Sequence, residues 1–335
     1  MILHVMILDK FLPPFIDFVK VNFDVTQHEF VFVTSEKYVY GLTPEHNACF
    51  LHTDNDIFNT LLRKMMLARK IIVHGLWRDK IDQLLASHAV LLKKTYWIMW
   101  GGDFYYPENQ TELRKKIIKN VGYLVSKNSM DVDMVRKQYG ATGVHVECIS
   151  YTSNVFPSNA SSYIQVKENP ELNILVGNSA TDTNNHFDCF EMLKKLGSKD
   201  INIFCPLSYG SAVYAQQVIT AGNELFGTRF IPMTEFMSKE HYLSFLSTID
   251  IAFFNHKRQQ AFGNILLLLG LGKKVYLNKN SNLNSFLEGL RIKVFDSEFF
   301  NCEPLDEQTK ISNIHEITTN FSQHALIEDL NKILL

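Results

Sequence analysis

Cysteine is scarce and scattered in this chain. Cys49, Cys148, Cys189, Cys205 and Cys302 lie far apart and no two form a C-x-x-C, so neither a zinc knuckle nor a disulfide framework is indicated, and reduced, mostly buried thiols are expected. Long apolar runs are missing as well. Residues 265–269, closed by Gly270, fall far short of the roughly 20 residues that a membrane span requires. The apolar opening, residues 1–9, lacks a basic n-region and a small-residue cleavage site, so it reads as a first buried strand. Net charge is nearly nil: 33 Lys and Arg against 35 Asp and Glu give −2. A protein that coats nucleic acid is thereby disfavoured, and any anion site must come from local clustering of cations. No short-period repeat or low-complexity tract is present. These absences describe a cytoplasmic protein, or at most one peripheral to a membrane.

What is present is ample material for two cores: 335 residues, 46% hydrophobic and 20% charged. Strand-like and helix-like segments alternate almost throughout, the pattern of parallel sheets with crossover helices. Strands are expected at 2–8, 30–33, 71–73, 96–100, 121–125 and 144–149, then at 172–176, 201–205, 229–231, 251–254 and 275–277. Helices are expected at 57–69, with Leu61, Leu62, Met65 and Met66 on one face, at 129–139, and in the second half at 186–196, 212–221, 239–247 and after Gly263. The stretch 151–170 carries Ser, Asn and two prolines with few large aliphatics. The division that follows is an N-terminal domain at 1–155, a linker at 156–170 and a C-terminal domain at 171–335. The architecture implied is α/β, two Rossmann-like halves with parallel sheets facing a central cleft.

The candidate chemistry lies at strand ends. Gly177-Asn178-Ser179 follows the run 174–176, and His256-Lys257-Arg258-Gln259-Gln260, with Gly263 and Asn264 at a helix start, follows 251–254. Backbone N–H groups at a helix N-terminus attract anions, Lys adds a point charge and Arg a forked donor, so the pair proposes a diphosphate site. Each loop alone also suits a plain turn with a cap. Tyr209 leaves a third strand and either stacks on a base or sugar or fills a turn. Glu240 starts a helix, where it contacts a ligand or simply matches the dipole. In the first half, 97–105 ends a buried strand in Gly101-Gly102 and delivers Asp103 to the rim as a candidate base, with Trp100 and Tyr105 beside it for sugar stacking. Asp103 equally suits a helix cap. His74 and Trp77 repeat the arrangement one strand away, His74 as base, as orienting donor, or simply as a satisfied histidine of the rim. Asp131-Val132-Asp133 resembles a metal-diphosphate D-x-D, but it lies in a helical turn where acids favour the dipole. Lys64, Arg69, Lys70 and the basic run at 114–119 are solvated faces or a surface for anionic lipid.

Trp97-Ile98-Met99-Trp100-Gly101-Gly102-Asp103-Phe104-Tyr105, Ile174-Leu175-Val176-Gly177-Asn178-Ser179, Arg258-Gln259-Gln260 with Gly263, Ala221-Gly222-Asn223-Glu224-Leu225-Phe226 and Val275-Tyr276-Leu277-Asn278 together resemble the TDP-4-acetamido-4,6-dideoxygalactose (N-acetylfucosamine) transferases of enterobacterial common antigen synthesis. The resemblance implies a GT-B glycosyltransferase with an acceptor-side N-terminal domain, a nucleotide-sugar-side C-terminal domain, and neither obligatory metal nor other cofactor. It also implies a TDP-sugar donor, an undecaprenyl-diphosphate-linked glycan acceptor, and work at the cytoplasmic face of the bacterial inner membrane as a peripheral protein touching anionic lipid. An O-antigen or capsule enzyme using a related TDP-sugar fits the same residues. Two other readings stand beside it. A nucleotide-sugar 2-epimerase on the same fold would release an epimerised sugar nucleotide without acceptor, and a non-catalytic nucleotide-sugar or glycolipid-binding protein would bind without turnover.

Overall fold

The computed structural model describes residues 1–35, 41–165, 167, 170–196 and 200–335. The chain divides into two units: residues Met1–Val155 with His324–Leu335, and residues Phe156–Gln323. The first unit is built on a seven-stranded sheet of β1 (Ile2–Met6), β2 (His28–Phe32), β3 (Cys49–Phe50), β4 (Lys70–His74), β5 (Thr95–Ile98), β6 (Tyr123–Val125) and β7 (Val144–Val146), in the order β3-β2-β1-β4-β5-β6-β7. Every neighbouring pair is parallel. The central strands β1 and β5 are buried at every position, because parallel strands joined by crossover helices are covered on both faces. Leu3, Val5, Val31, Ile71, Val73 and Trp97 belong to the core on one face.

The second unit repeats the plan with β8 (Leu172–Val176), β9 (Ile201–Pro206), β10 (Phe230–Met233), β11 (Ile251–Phe254), β12 (Lys274–Leu277) and β13 (Phe295–Asp296), all parallel in the order β10-β9-β8-β11-β12-β13. Its core gathers Ile174, Val176, Phe190, Ile203, Val218 and Phe253.

Three differences from the sequence-based expectation have physical causes. The edge strands β3 and β13 are two residues each, too short for any periodicity to register. The helix expected at 57–69 opens as a π-helical stretch, Asp56–Leu61, before the α-helix Leu62–Leu67. Leu61 and Met65 are fully buried while Met66 is 42% exposed, so the expected apolar face does not hold all four residues. The domain bounds also shift. Residues 324–335, expected in the C-terminal half, belong to the first unit, where Asp329 accepts from the Ile149 N–H at 3.0 Å and pairs with Lys127 at 3.3 Å. Residues 156–165 of the expected linker belong to the second: Ser244 Oγ donates to the Tyr163 carbonyl at 3.1 Å and the Gln165 N–H to Ser247 Oγ at 2.9 Å. Asn169, part of the expected boundary, lies outside the described residues.

Candidate functional site

In the second unit, the chain runs from β8 outward to β9 and β10, then restarts at β11 and runs the other way to β13. The loops leaving β8 and β11 therefore part company at a topological switch point, where open α/β sheets bind ligands. Gly177 ends β8 at φ +69°, and a Cβ there would meet His186 Nε2 at 2.7 Å and Asn184 Oδ1 at 2.9 Å. Only glycine satisfies both conditions. Asn184 holds the loop shut from inside, accepting from the Asn178 N–H at 3.0 Å and donating through Nδ2 to the Ser179 carbonyl at 3.0 Å and Thr181 Oγ1 at 2.8 Å.

Gln260 locks this loop to the one after β11. Its Nε2 donates to Asn178 Oδ1 at 3.0 Å and its Oε1 accepts from Thr183 Oγ1 at 2.8 Å. Asn185 Nδ2 adds a bond to the Asn255 carbonyl at 2.7 Å. The loop after β9 joins the same cluster through a parallel bridge: the Ala180 N–H donates to the Tyr209 carbonyl at 2.6 Å and the Ser211 N–H to the Ala180 carbonyl at 2.8 Å. Asn185 and Ala261, at φ 52° and 58°, stand in the left-handed region at the N-caps of the helices His186–Lys194 and Phe262–Gly270. Such positions typically store about 1–3 kcal/mol each and tend to mark functional loops.

Gly177, Asn178, Ser179, Tyr209, His256, Arg258, Gln259 and Gln260 are thus gathered by three strand ends of one sheet. Tyr209 is 57% exposed. Lys257 is exposed on the same loop, and Gly263 and Asn264 fill the first turn of the helix that follows. Arg258 reaches Thr183 Oγ1 and the Gln259 carbonyl only at 3.4 and 3.5 Å, so its guanidinium is weakly committed to these two groups. His256 is fully buried with neither ring nitrogen at hydrogen-bonding geometry, and burial, reinforced by Arg258, lowers its pKa to about 4. Glu240 stands apart. It is exposed in the first turn of the helix Lys239–Ser247, which Ser238 caps, and it is not among the hydrogen-bonded residues of the cluster.

The first unit has its own switch point between β1 and β4. Here the structure revises the acceptor-side expectation. Asp103 is fully buried and accepts three hydrogen bonds, from the Leu76 N–H at 2.9 Å, Trp97 Nε1 at 2.7 Å and the Trp100 N–H at 3.1 Å. It ties the loop after β4 to the loop after β5 and presents no oxygen to a reactant. Tyr105 is buried with its hydroxyl donating to Asp131 at 2.6 Å, so it offers no stacking face. That bond also dissolves the D-x-D: Asp131 is buried, whereas Asp133 is 65% exposed and 3.8 Å from Arg136. No group of three or more His, Cys, Asp or Glu suited to a metal occurs among the described residues. His74 is fully buried at the end of β4, its pKa lowered to about 3 by burial.

Trp77 and Trp100 keep the expected place at the rim, half-buried and edge-to-face at 6.0 Å. Gly101 turns at φ +81°, and a Cβ on Gly102 would lie 2.6 Å from the Trp77 ring, so this glycine lets the indole lie flat on the loop. Sequence reasoning passed over Asp9. It follows β1 at the switch point, is half-buried, and accepts from the Phe11 N–H at 3.3 Å. Burial raises its pKa against the pull of that N–H and of Lys10. The signal was a carboxylate directly after an apolar run, the same signal that singled out Asp103.

Two parallel-sheet units with loop clusters at their switch points are the architecture of a GT-B glycosyltransferase, and solved structures agree. A glycosyltransferase from Rickettsia africae superposes with TM-score 0.70 at 12% identity, over 99% of this chain and 97% of that one. The HepE protein of Anabaena in complex with UDP and glucose gives 0.67 at 11%, over 99% and 98%. Sucrose-phosphate synthase from Thermosynechococcus elongatus gives 0.66 at 9%, over 99% and 97%. The model of the 4-alpha-L-fucosyltransferase family, glycosyl transferase group 56, matches residues 10–327, and the chain belongs to that family.

Proposed function

We propose that this glycosyltransferase moves a 4-acetamido-4,6-dideoxyhexose of the N-acetylfucosamine type from a TDP-sugar to a hydroxyl of an undecaprenyl-diphosphate-linked oligosaccharide in surface polysaccharide synthesis. The observation that carries the reading is the three-loop cluster at the switch point of the second unit. There, two helix starts, Arg258 and the amides of Asn178 and Gln260 converge, and they suit a diphosphate whose charge grows as the sugar leaves. A fucosyltransferase family supports a 6-deoxyhexose. On the acceptor side Trp77 and Trp100 provide the aromatic surface, and Asp9 takes the role of base that Asp103, being buried and saturated, does not fill. Mass spectrometry of lipid-linked oligosaccharides from cells lacking the gene tests the reading. An accumulated intermediate short of one acetamido-dideoxyhexose supports it, and an unchanged lipid-linked pool overturns it.

Arg258→Ala should weaken donor affinity by on the order of 2–3 kcal/mol, the loss of a charge-assisted contact. Titration calorimetry with TDP-sugar checks this, and unchanged affinity removes Arg258 from the site.

No described helix is long and apolar enough to cross a membrane. We place contact with anionic lipid at a small tip of the first unit, where Met66 (42% exposed) and Leu67 (76%) are flanked by exposed Arg63 and Arg69. The wider basic face narrows because Lys64 pairs with Glu29 and Arg114 with Asp82. At roughly 1 kcal/mol per nearby cation before screening, binding should be weak and salt-sensitive. Sedimentation with vesicles is the check: anionic vesicles should recruit more protein than neutral ones at low salt, and equal recruitment removes this contact.

A further inference from the structure

One face of the first sheet carries an unbroken line of hydrogen-bonded rings. His28, half-buried at the start of β2, meets His4 of β1 at 3.0 Å between His28 Nδ1 and His4 Nε2. His4 Nδ1 lies 3.1 Å from Nε2 of His74, the last residue of β4. His74 Nδ1 lies 2.8 Å from the Tyr151 hydroxyl, which accepts from Trp100 Nε1 at 2.8 Å. His4 and His74 are fully buried. Both nitrogens of each are engaged, in contrast to His186 and His256, which keep idle ring nitrogens.

Burial holds all three rings neutral near pH 7: His4 titrates well below its ordinary value, His74 at about 3 and His28 at about 4. A neutral imidazole has one donor and one acceptor nitrogen. The three bonds must therefore point the same way, and the atoms that meet dictate that all three rings share one tautomer. Among the described residues the Tyr151 hydroxyl has one acceptor, His74 Nδ1, and donates to it, so His74, His4 and His28 each carry their proton on Nε2. The rings cannot easily turn. Phe30 stacks on His4 at 4.9 Å, and Phe15 abuts His4 and His74 edge-on at 5.5 and 5.0 Å. A tautomer then changes only by moving protons through the line. The charged and titratable groups bearing on its ends are Asp24 and the Met1 amino group at His28, and Asp9, Asp103 and Cys148 at Tyr151.

We propose that His28, His4, His74 and Tyr151 form a proton relay that exchanges a proton between the Trp100–Tyr151 rim and solvent at His28. Sugar transfer frees one proton from the acceptor hydroxyl, whatever its stereochemistry. That proton, taken up by Asp9 and passed to the Tyr151 oxygen, displaces the hydroxyl proton onto His74 Nδ1. The Nε2 proton of His74 passes to His4 Nδ1, that of His4 to His28 Nδ1, and that of His28 to water. The three rings are left as Nδ1–H tautomers. A proton re-entering at His28 Nε2 and leaving from the Tyr151 hydroxyl to water once the product has gone restores them, so charge and protons balance over a turnover. A surface-connected line of three histidines lets the rim lose a proton without forming a buried cation, which a line of apolar side chains could not do.

The test begins without substrate, on the whole protein labelled with nitrogen-15 histidine. At pH 7 His4, His28 and His74 should each show the Nε2–H tautomer with a hydrogen-bonded Nδ1. Tyr151→Phe should shift all three, His28 included, although His28 does not touch Tyr151. Mixed tautomers among the three, or a shift confined to His74, overturns the relay. The second arm uses His28→Ala with TDP-sugar and a lipid-linked acceptor. Turnover should fall on the order of 10²-fold with donor KM unchanged, and imidazole in the buffer should restore it. Full activity, or a loss that imidazole does not repair, also overturns the relay. Because the deprotonation step draws on the substrate pair proposed above, inactivity of the unmodified enzyme with that pair counts against the substrates, while the nitrogen spectra decide the relay.

Discussion

Replacing Asp9 by Asn should lower the single-turnover rate about 10²- to 10⁴-fold, the usual contribution of a general base, with little change in melting temperature or donor affinity. Asn keeps the shape and the bond from the Phe11 N–H but takes no proton. The pH profile supplies a second check. Burial raises the Asp9 pKa, and only the carboxylate serves as base, so the rate of the unmodified enzyme should fall as pH drops through that raised value. This acid limb should vanish in Asp9→Asn. A variant with normal turnover would strike Asp9 from the mechanism.

Asp103 should give the opposite phenotype. Asp103→Ala strands three N–H donors in the interior at roughly 1–3 kcal/mol each, partly relieved by solvent, so about 3–5 kcal/mol of stability should be lost. Asp103→Asn keeps one acceptor oxygen and should cost about 1–3 kcal/mol at acid pH. Burial is the largest influence on Asp103 and raises its pKa despite its donors. A raised folded-state pKa means that the group's contribution is full below the unfolded carboxylate pKa and is lost as pH rises through the folded value. The gap between the unmodified protein and Asp103→Asn should therefore narrow as pH rises. Thermal melts across pH measure it, and a stable, slow Asp103→Asn would return the residue to the chemistry.

The contrast between these two aspartates shows what the sequence could carry. Both follow apolar strands, and a strand end is legible because burial on both faces writes a continuous hydrophobic run. Whether the carboxylate then meets solvent or the N–H groups of the next loop depends on contacts such as Leu76 with Asp103, 27 residues apart, which no local pattern encodes. Tyr105 was misread for the same reason, its partner Asp131 lying 26 residues away. The two parallel-sheet α/β halves were legible from the alternation of strands and helices, and the GT-B assignment came from the family resemblance. The two-residue edge strands were not, nor was the relay, because His4, His28 and His74 come together only through the register of three parallel strands. Gln260, which ties the loop after β8 to the loop after β11, is an ordinary polar residue until folding brings it within reach of Asn178 and Thr183, 82 and 77 positions away.

The return of residues 324–335 to the first unit sets an order of events during synthesis. The ribosome delivers residues 1–155 first, then the whole of 156–323, and only afterwards the segment that carries Asp329. Until then the Ile149 N–H and the Lys127 ammonium lack the carboxylate that both engage in the finished protein. Domains generally fold as units as they emerge, so the unit made first is the one completed last. The nascent N-terminal half must wait, without the buried Leu326, Leu330 and Ile333, while the inserted unit folds. Chaperones and proteases would meet the chain in that interval, and changes near Asp329 should therefore lower the yield of protein more than its activity once folded.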